Sequence, residues 1–164
     1  MKKYIKSAVQ PLDKMSVTDR TKVALNSSAS VRDLTRLSKD RSYSVRAGVA
    51  YNEITPPDIL AALSKDSNYV VRANVAHNPS TPPDVLAILA NDPHDAVRYD
   101  VAANPSTPED VLYKLSLSQD EDILMIMANN LNTPSYVLSS LWEHGSWMIR
   151  ELVEGHPNFS GIKK

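Results

Sequence analysis

Apolar residues along this chain recur in columns. Leucine stands at Leu34, Leu60, Leu86, Leu112 and Leu138, and again three residues on at Leu37, Leu63, Leu89, Leu115 and Leu141. A β-branched column follows at Val45, Val71, Val97, Ile123 and Ile149, and every column repeats with a period of 26. Within a unit, Ile59, Leu60 and Leu63, or Val85, Leu86 and Leu89, share one face of a first helix, while Val71 and Val75 lie one turn apart on a second. Polar residues keep the same register. Asn26, Asn52, Asn78, Asn104 and Asn130 form one column; Arg46, Arg72, Arg98, Leu124 and Arg150 form another, extended backwards by Arg20.

These columns predict a unit of two short helices. Thr55-Pro56-Pro57-Asp58, Thr81-Pro82-Pro83-Asp84 and Thr107-Pro108-Glu109-Asp110 read as helix starts, with Thr as the cap, Pro at the first helical position, where its missing N–H costs nothing, and Asp at the third in the manner of a capping box. The first helix is expected to span about ten residues. A polar break, such as SKDSNY or ANDPHD, leads into the second helix, expected to be partly 3₁₀. That helix should stop at Asn78 or Asn104, because Asn tolerates the left-handed conformation and the following Pro disfavours a helical residue before it.

Isolated helices shorter than about 12–15 residues are marginal in water, so each unit needs its neighbours to cover its apolar face. The expected fold is all-α: an α-solenoid of about five such units with one continuous core. Residues 1–19 read as an N-terminal capping segment, 20–150 as the solenoid and 151–164 as a C-terminal cap and tail, one domain in all. Tyr4, Ile5, Val9 and Leu12 are expected to point inward. Phe159 and Ile162 are expected to fold over the last groove, leaving Lys163 and Lys164 as a loose tail.

The best-kept columns, Val-Arg-x-x-Val-Ala-x-Asn-Pro, Thr-Pro and Leu-x-x-Leu-x-x-Asp, resemble the variant leucine-rich repeat family, a relative of HEAT-type solenoids. The resemblance runs from about Arg20 to Pro157 and is strongest over residues 45–115. It implies a right-handed superhelix of alternating α and 3₁₀ helices, and it says little about function. Members of that family can carry an iron–sulfur cluster on N-terminal cysteines; this chain has no cysteine.

Composition narrows the chemistry. Without cysteine there are no disulfides, thiolate metal sites or cysteine nucleophiles. The basic start, MKKYIKSAVQPLDK, has no apolar core of a signal peptide, and no apolar run reaches membrane-spanning length, which suggests a soluble, cytoplasmic protein. The formal net charge of −1 conceals a split: 11 Lys/Arg against 4 Asp/Glu in residues 1–50, and 7 against 15 in the remainder. Such a split suits a charged partner, or head-to-tail self-association.

The arginine column runs beside Asp40, Asp66, Asp92, Ser118 and His144. Where Asp becomes Ser118, Arg becomes Leu124, so a structural partnership is the leading reading, with an exposed phosphate-binding ladder as its competitor. The triplet Asp120, Glu121 and Asp122 lacks the alternating ligand spacing and the glycine of an EF-hand, and reads as a solvated loop. His77, His94, His144 and His156 show no metal-ligand spacing, and no nucleophile elbow or phosphate loop occurs. In EHGSW, His144 lies near Ser146, but Gly145 most simply makes a turn. No cofactor and no catalytic set is expected.

Specificity is best sought in columns that vary. One is Leu25, Tyr51, His77, Ala103 and Asn129; another, expected in the loop before the second helix, is Tyr43, Tyr69, Asp95, Glu121 and Trp147. Tyr43, Tyr51, Tyr69, His77 and Tyr99 are therefore candidate partner contacts, with packing between units as the plain alternative. The functional expectation is a non-catalytic scaffold offering a curved surface to a protein partner. The alternative is a nucleic-acid-binding module using the basic first third, through Lys14, Lys22, Arg32, Arg36, Lys39 and Arg41 together with Lys2, Lys3 and Lys6. HEAT-like solenoids of the alkylpurine glycosylase type show that such folds can clasp a duplex.

Overall fold

A computed structural model describes residues 11–161. After a 3₁₀ turn at Leu12–Lys14, the described chain is a run of α-helices: α1 (Val17–Leu25), α2 (Val31–Leu37), α3 (Tyr43–Tyr51), α4 (Pro57–Leu63), α5 (Tyr69–His77), α6 (Pro83–Leu89), α7 (Asp95–Ala103), α8 (Glu109–Ser116), α9 (Glu121–Asn129), α10 (Ser135–His144) and α11 (Trp147–Glu154). Odd and even helices alternate through the predicted units, giving an α-solenoid. Neighbouring odd helices pack directly on one another, whereas successive even helices barely meet along most of the stack. That asymmetry curves the molecule, with the odd helices on the concave side.

Side-chain size explains the asymmetry. Ala24, Ala50, Ala76, Ala102 and Ala128 are all buried where odd helices approach each other. At Gly48 an added Cβ would lie 3.1 Å from that of Ala24, so α1 and α3 meet almost backbone to backbone. The even helices contribute bulk instead. Leu34, Leu60, Leu86, Leu112 and Leu138 are buried to within 1% of complete, each burial stabilising the fold by about 1.5–3 kcal/mol. Leu12 is buried and Phe159 packs partly against the core. Tyr4, Ile5, Val9, Ile162, Lys163 and Lys164 lie outside the described residues.

The columns fold as expected, but several of their roles differ. Both helices of each unit are α; tight i→i−3 bonds occur instead at the exits of the even helices, as from Asn91 N–H to Ile88 O and Asp92 N–H to Leu89 O. The helices α2, α4 and α6 have 7 residues, not about ten, because Ser38, Ser64 and Ala90 already begin those exits. Thr55, Thr81 and Thr107 do not cap the helices that follow. Each hydroxyl donates back to the preceding helix, to Val49 O at 2.6 Å, Val75 O at 2.5 Å and Val101 O at 2.6 Å. Pro56, Pro82 and Pro108 are the cap residues, with no side-chain cap bond. Serine capping survives only early, where Ser16 and Ser30 accept from Asp19 and Asp33 N–H.

Asn78 and Asn104 do end their helices, but in extended backbone (φ −68° and −71°) rather than the left-handed region. Gly145 is likewise extended, at φ −74° and ψ 161°. Its lack of a side chain serves close packing: a Cβ there would meet Leu141 O and lie 2.6 Å from Ile149 Cγ2. Tyr43, Tyr69, Asp95, Glu121 and Trp147 open the odd helices instead of lying in loops. Asp120 caps α9, accepting from Asp122 and Ile123 N–H, and Glu121 and Asp122 form its first turn. That placement gives the acid triplet a favourable position on the helix dipole.

Candidate functional site

Two ladders consume the repeating polar columns. Asn78 Nδ2 donates to Ala50 O at 2.8 Å and Asn52 O at 3.0 Å in the preceding unit, while its Oδ1 accepts from Ser80 N–H. Asn52 and Asn104 make the corresponding bonds, and Asn130 reaches Ala102 O. His156 takes the next place in this column. Its Nδ1 accepts from Asn158 N–H, so the proton sits on Nε2, which donates to Asn130 O at 3.1 Å. Sequence comparison by identity misses this substitution; only the spacing of 26 from Asn130 reveals it.

The second ladder joins arginine to aspartate. Arg20, Arg46 and Arg72 each form a two-nitrogen pair with Asp40, Asp66 and Asp92 of the following unit, with Nε–Oδ2 distances of 2.6, 2.5 and 2.6 Å. Each guanidinium also donates to a carbonyl within its own unit, as Arg72 does to Asp66 O. The structural partnership is therefore present, with the carboxylate supplied by the following unit and the carbonyl by the same unit. This geometry revises the apparent joint loss at Ser118 and Leu124, which lie in different rungs. Arg98, opposite Ser118, turns to Asp95 and to Asp120 at 3.8 Å. Leu124 stands opposite His144, so that rung has neither arginine nor aspartate.

The ladder carboxyls set the acid behaviour of the fold. Burial pushes Asp40 and Asp66 upward, but bonds from Arg20 and Arg46 and from the Ser42 and Asn68 amides outweigh it and hold both below 3.8. Asp92 is lowered first by Arg72. Lowered folded values mean these groups stabilise the protein above pH 3.8 and lose that contribution as pH falls through them. Asp100 is raised by burial against a smaller opposing effect of His77, so its contribution has the opposite sign and fades as pH rises through its folded value. With Asp19, which is also lowered, four carboxyls oppose one. Melting followed against pH should therefore show a steep loss of stability below pH 3.8, which Asp92→Asn makes shallower.

With the ladders turned into the stack and its loop edge, other columns are left on the concave face. From α1 to α11 they read Thr18, Ser44, Val70, Ala96, Asp122 and Met148; Thr21, Ala47, Ala73, Tyr99, Met125 and Glu151; Lys22, Gly48, Asn74, Asp100, Ile126 and Leu152; and Leu25, Tyr51, His77, Ala103, Asn129 and Gly155. Tyr51 and His77 stack with ring centroids 5.9 Å apart and planes 5° from parallel. His77 Nδ1 lies 3.4 Å from Asp100 Oδ1 on the next helix. One track of contacts thus crosses α3, α5 and α7. Beyond it, Tyr99, Ala103, Met125, Ile126 and Asn129 line a groove bordered by Asp122, and the Tyr99 hydroxyl donates to Asp122 at 3.3 Å.

The five candidate contacts divide accordingly. Tyr51, His77 and Tyr99 lie on the concave face, the first two exposed and Tyr99 half-buried. Tyr43 and Tyr69 begin odd helices; Tyr43 lines a groove with Leu25, Ala47 and Tyr51, and Tyr69 stacks on His94 with centroids 3.6 Å apart. Leu25, already in a variable column, belongs to the concave surface, as do Met125, Ile126 and Leu152, which no aromatic signal marked but whose column positions would have. Tyr113 and Tyr136, on α8 and α10, form a separate exposed pair.

The structure brings three of the six basic candidates together and leaves the others apart. Arg36, Lys39 and Arg41 border a groove that also holds Asp13 and Asp40. Lys22 lies on α1 near Asp19, while Lys14 is exposed in the 3₁₀ turn and Arg32 on α2. Arg20 and Arg46 are engaged in the ladder, and Lys2, Lys3 and Lys6 lie outside the described residues. His144 and Ser146 line one shallow groove; Ser146 Oγ is buried without a partner, and His144 faces Glu143 at 3.9 Å. No group of three potential metal ligands occurs among the described residues.

Fold and ladders together define the class: a helical-repeat solenoid. Residues 69–94 match the family model described as leucine rich repeat variant, a match that spans one period of the chain. Among solved structures, the chain is similar to one described as a leucine-rich repeat variant with a novel repetitive protein structural motif, at a TM-score of 0.67 and 24% identity. That likeness covers 88% of this chain and 57% of the other, so this chain spans little more than half the length of the structure it matches. No curated protein matches. The matched unit's columns recur in register along the chain, so the likeness to that family model at one period extends to the fold as a whole. No described helix is long and apolar enough to cross a membrane.

Proposed function

We propose that this protein is a non-catalytic interaction scaffold whose protein partner lies along the concave face of the odd helices. The observation that carries this reading is the division of labour among columns. Asn, Thr, Arg and Asp repeat because internal bonds consume them, whereas the concave column Leu25, Tyr51, His77, Ala103 and Asn129 changes at every unit. A framework does not need that variation; recognition of a particular surface does. Repeat stacking produces an extended concave surface of the kind used for binding, and exposed Tyr offers large contact area with little side-chain entropy to lose.

A partner captured on the full chain and then titrated against variants tests this. Tyr51→Ala with His77→Ala should weaken binding at least tenfold, or about 1.4 kcal/mol. Ile88→Ala with Tyr113→Ala, on the outer helices, should change it less than about twofold. All four side chains are exposed, so melting should be little affected. A reversed ranking would place the partner on the outer face and sink the proposal.

A further inference from the structure

The concave face is chemically uneven along its length. Over α7, α9 and α11 its charged residues are Asp100, Asp122 and Glu151, all acidic, and its four columns contain no Lys or Arg there. The only such cation in those columns is Lys22, on α1 at the far end. Between the carboxylates lie Tyr99, Met125, Ile126 and Leu152, all partly buried against the core and partly open to solvent.

From the neighbouring helix α5, His77 Nδ1 reaches Asp100 at 3.4 Å, and among the described residues no Lys or Arg reaches the rim. Arg98 is held on the loop edge by Asp92 O, Asp95 and Asp120. Arg150, on α11, lies over Trp142 with its guanidinium carbon 5.7 Å from the ring centroid. Asp120 and Asp122 both face the Tyr99 hydroxyl. An apolar floor with a one-signed rim selects its occupant twice: aliphatic side chains for the floor, and cations spaced to reach the rim.

We infer that the groove across α7, α9 and α11 binds a basic segment of a partner protein, one whose Lys or Arg residues alternate with aliphatic residues. This rests on the concave-face reading above. Lys or Arg in the segment meets Asp100, Asp122 and Glu151, while its aliphatic residues cover Met125, Ile126 and Ala103. The acidic rim also disfavours acidic segments and nucleic acid phosphates.

The test is selection of a random displayed dodecapeptide library on the full-length protein, followed by fluorescence-polarisation titration of the selected peptides. Selected peptides should be rich in Lys or Arg and in Leu, Ile or Val. Their affinity should fall at least tenfold with D100N/D122N/E151Q, and fall again when salt is raised. Met125→Ala should weaken the same peptides, and Tyr113→Ala should not. Glu151→Lys, at an exposed position, serves as an independent variant if the triple substitution alters folding.

Acidic or uncharged peptides that compete for the concave face would overturn the charge inference while leaving the scaffold reading intact. Peptides insensitive to every concave substitution, Tyr51→Ala and His77→Ala included, would overturn both. Salt-sensitive dimers by light scattering, abolished by the triple variant, would make a second copy the occupant and overturn the partner-segment proposal.

Discussion

Asn78→Ala should lower the unfolding free energy by about 2–4 kcal/mol. Asn78 is 1% exposed, and alanine would leave Ala50 O and Asn52 O without their side-chain donor and Ser80 N–H without its acceptor. A buried polar group stripped of its partner loses about 1–3 kcal/mol, more than the modest net gain of a typical hydrogen bond. Asn129→Ala is the matched control, since that side chain is exposed and bonds only within its own helix; it should stay within about 0.5 kcal/mol. Urea unfolding followed by circular dichroism measures both. Tryptophan fluorescence adds a local reading, because Trp142 and Trp147 both lie in the last unit. In Asn78→Ala the two probes should separate, with the last unit holding on at urea concentrations where total helix has begun to fall.

The second large effect concerns the Arg72–Asp92 rung. Asp92→Ala should cost about 3–5 kcal/mol, because it leaves a guanidinium with only 14% of its side chain exposed and no carboxylate partner. The chain itself contains the means of removing such a pair more gently. Ser118 occupies the aspartate column and keeps its turn, accepting from Asp120 N–H at 3.1 Å, while Leu124 replaces arginine with apolar bulk. Arg72→Leu with Asp92→Ser combines those two solutions and should cost less than the sum of its single variants by about 1–3 kcal/mol. Strict additivity in a double-mutant cycle would show that the rung contributes no coupling.

Much of this architecture is legible from one period of sequence, and the reason is physical. In a stack of like units each side chain meets the same neighbours at every turn, so a requirement of packing is written once per 26 residues. Leu60 and Leu86 could be read as core for that reason. What a side chain bonds to was less legible, because the partners lie a whole unit away. Thr81 beside Pro82 suggests a cap by local rules, but the nearest buried acceptor is Val75 O behind it. Asn78 suggests a left-handed stop by local rules, but its side chain bridges to the previous unit instead. The Arg72 carboxylate stands 20 residues ahead, beyond any helical spacing.

The candidate surface was legible in part. Variation picked out Tyr51 and His77, which stack on the concave face. It also picked out Tyr43 and Tyr69, which open odd helices; Tyr43 shares a groove with Leu25 and Tyr51, whereas Tyr69 stacks on His94. Met125 and Ile126 escaped notice because aliphatic residues in a helix normally signal core. Only the direction of curvature shows that their side of the helix is open.

The central claim is that the repeating columns build the stack and the variable concave columns bind. The most direct measurement places a photoactivatable cross-linker at position 77 or, separately, at position 88 of the full chain and identifies the protein captured by each. The account predicts a specific adduct from position 77, competed away by unmodified protein, and none from Ile88, which is 62% exposed on the outer helix α6. A specific adduct from position 88 alone would contradict it.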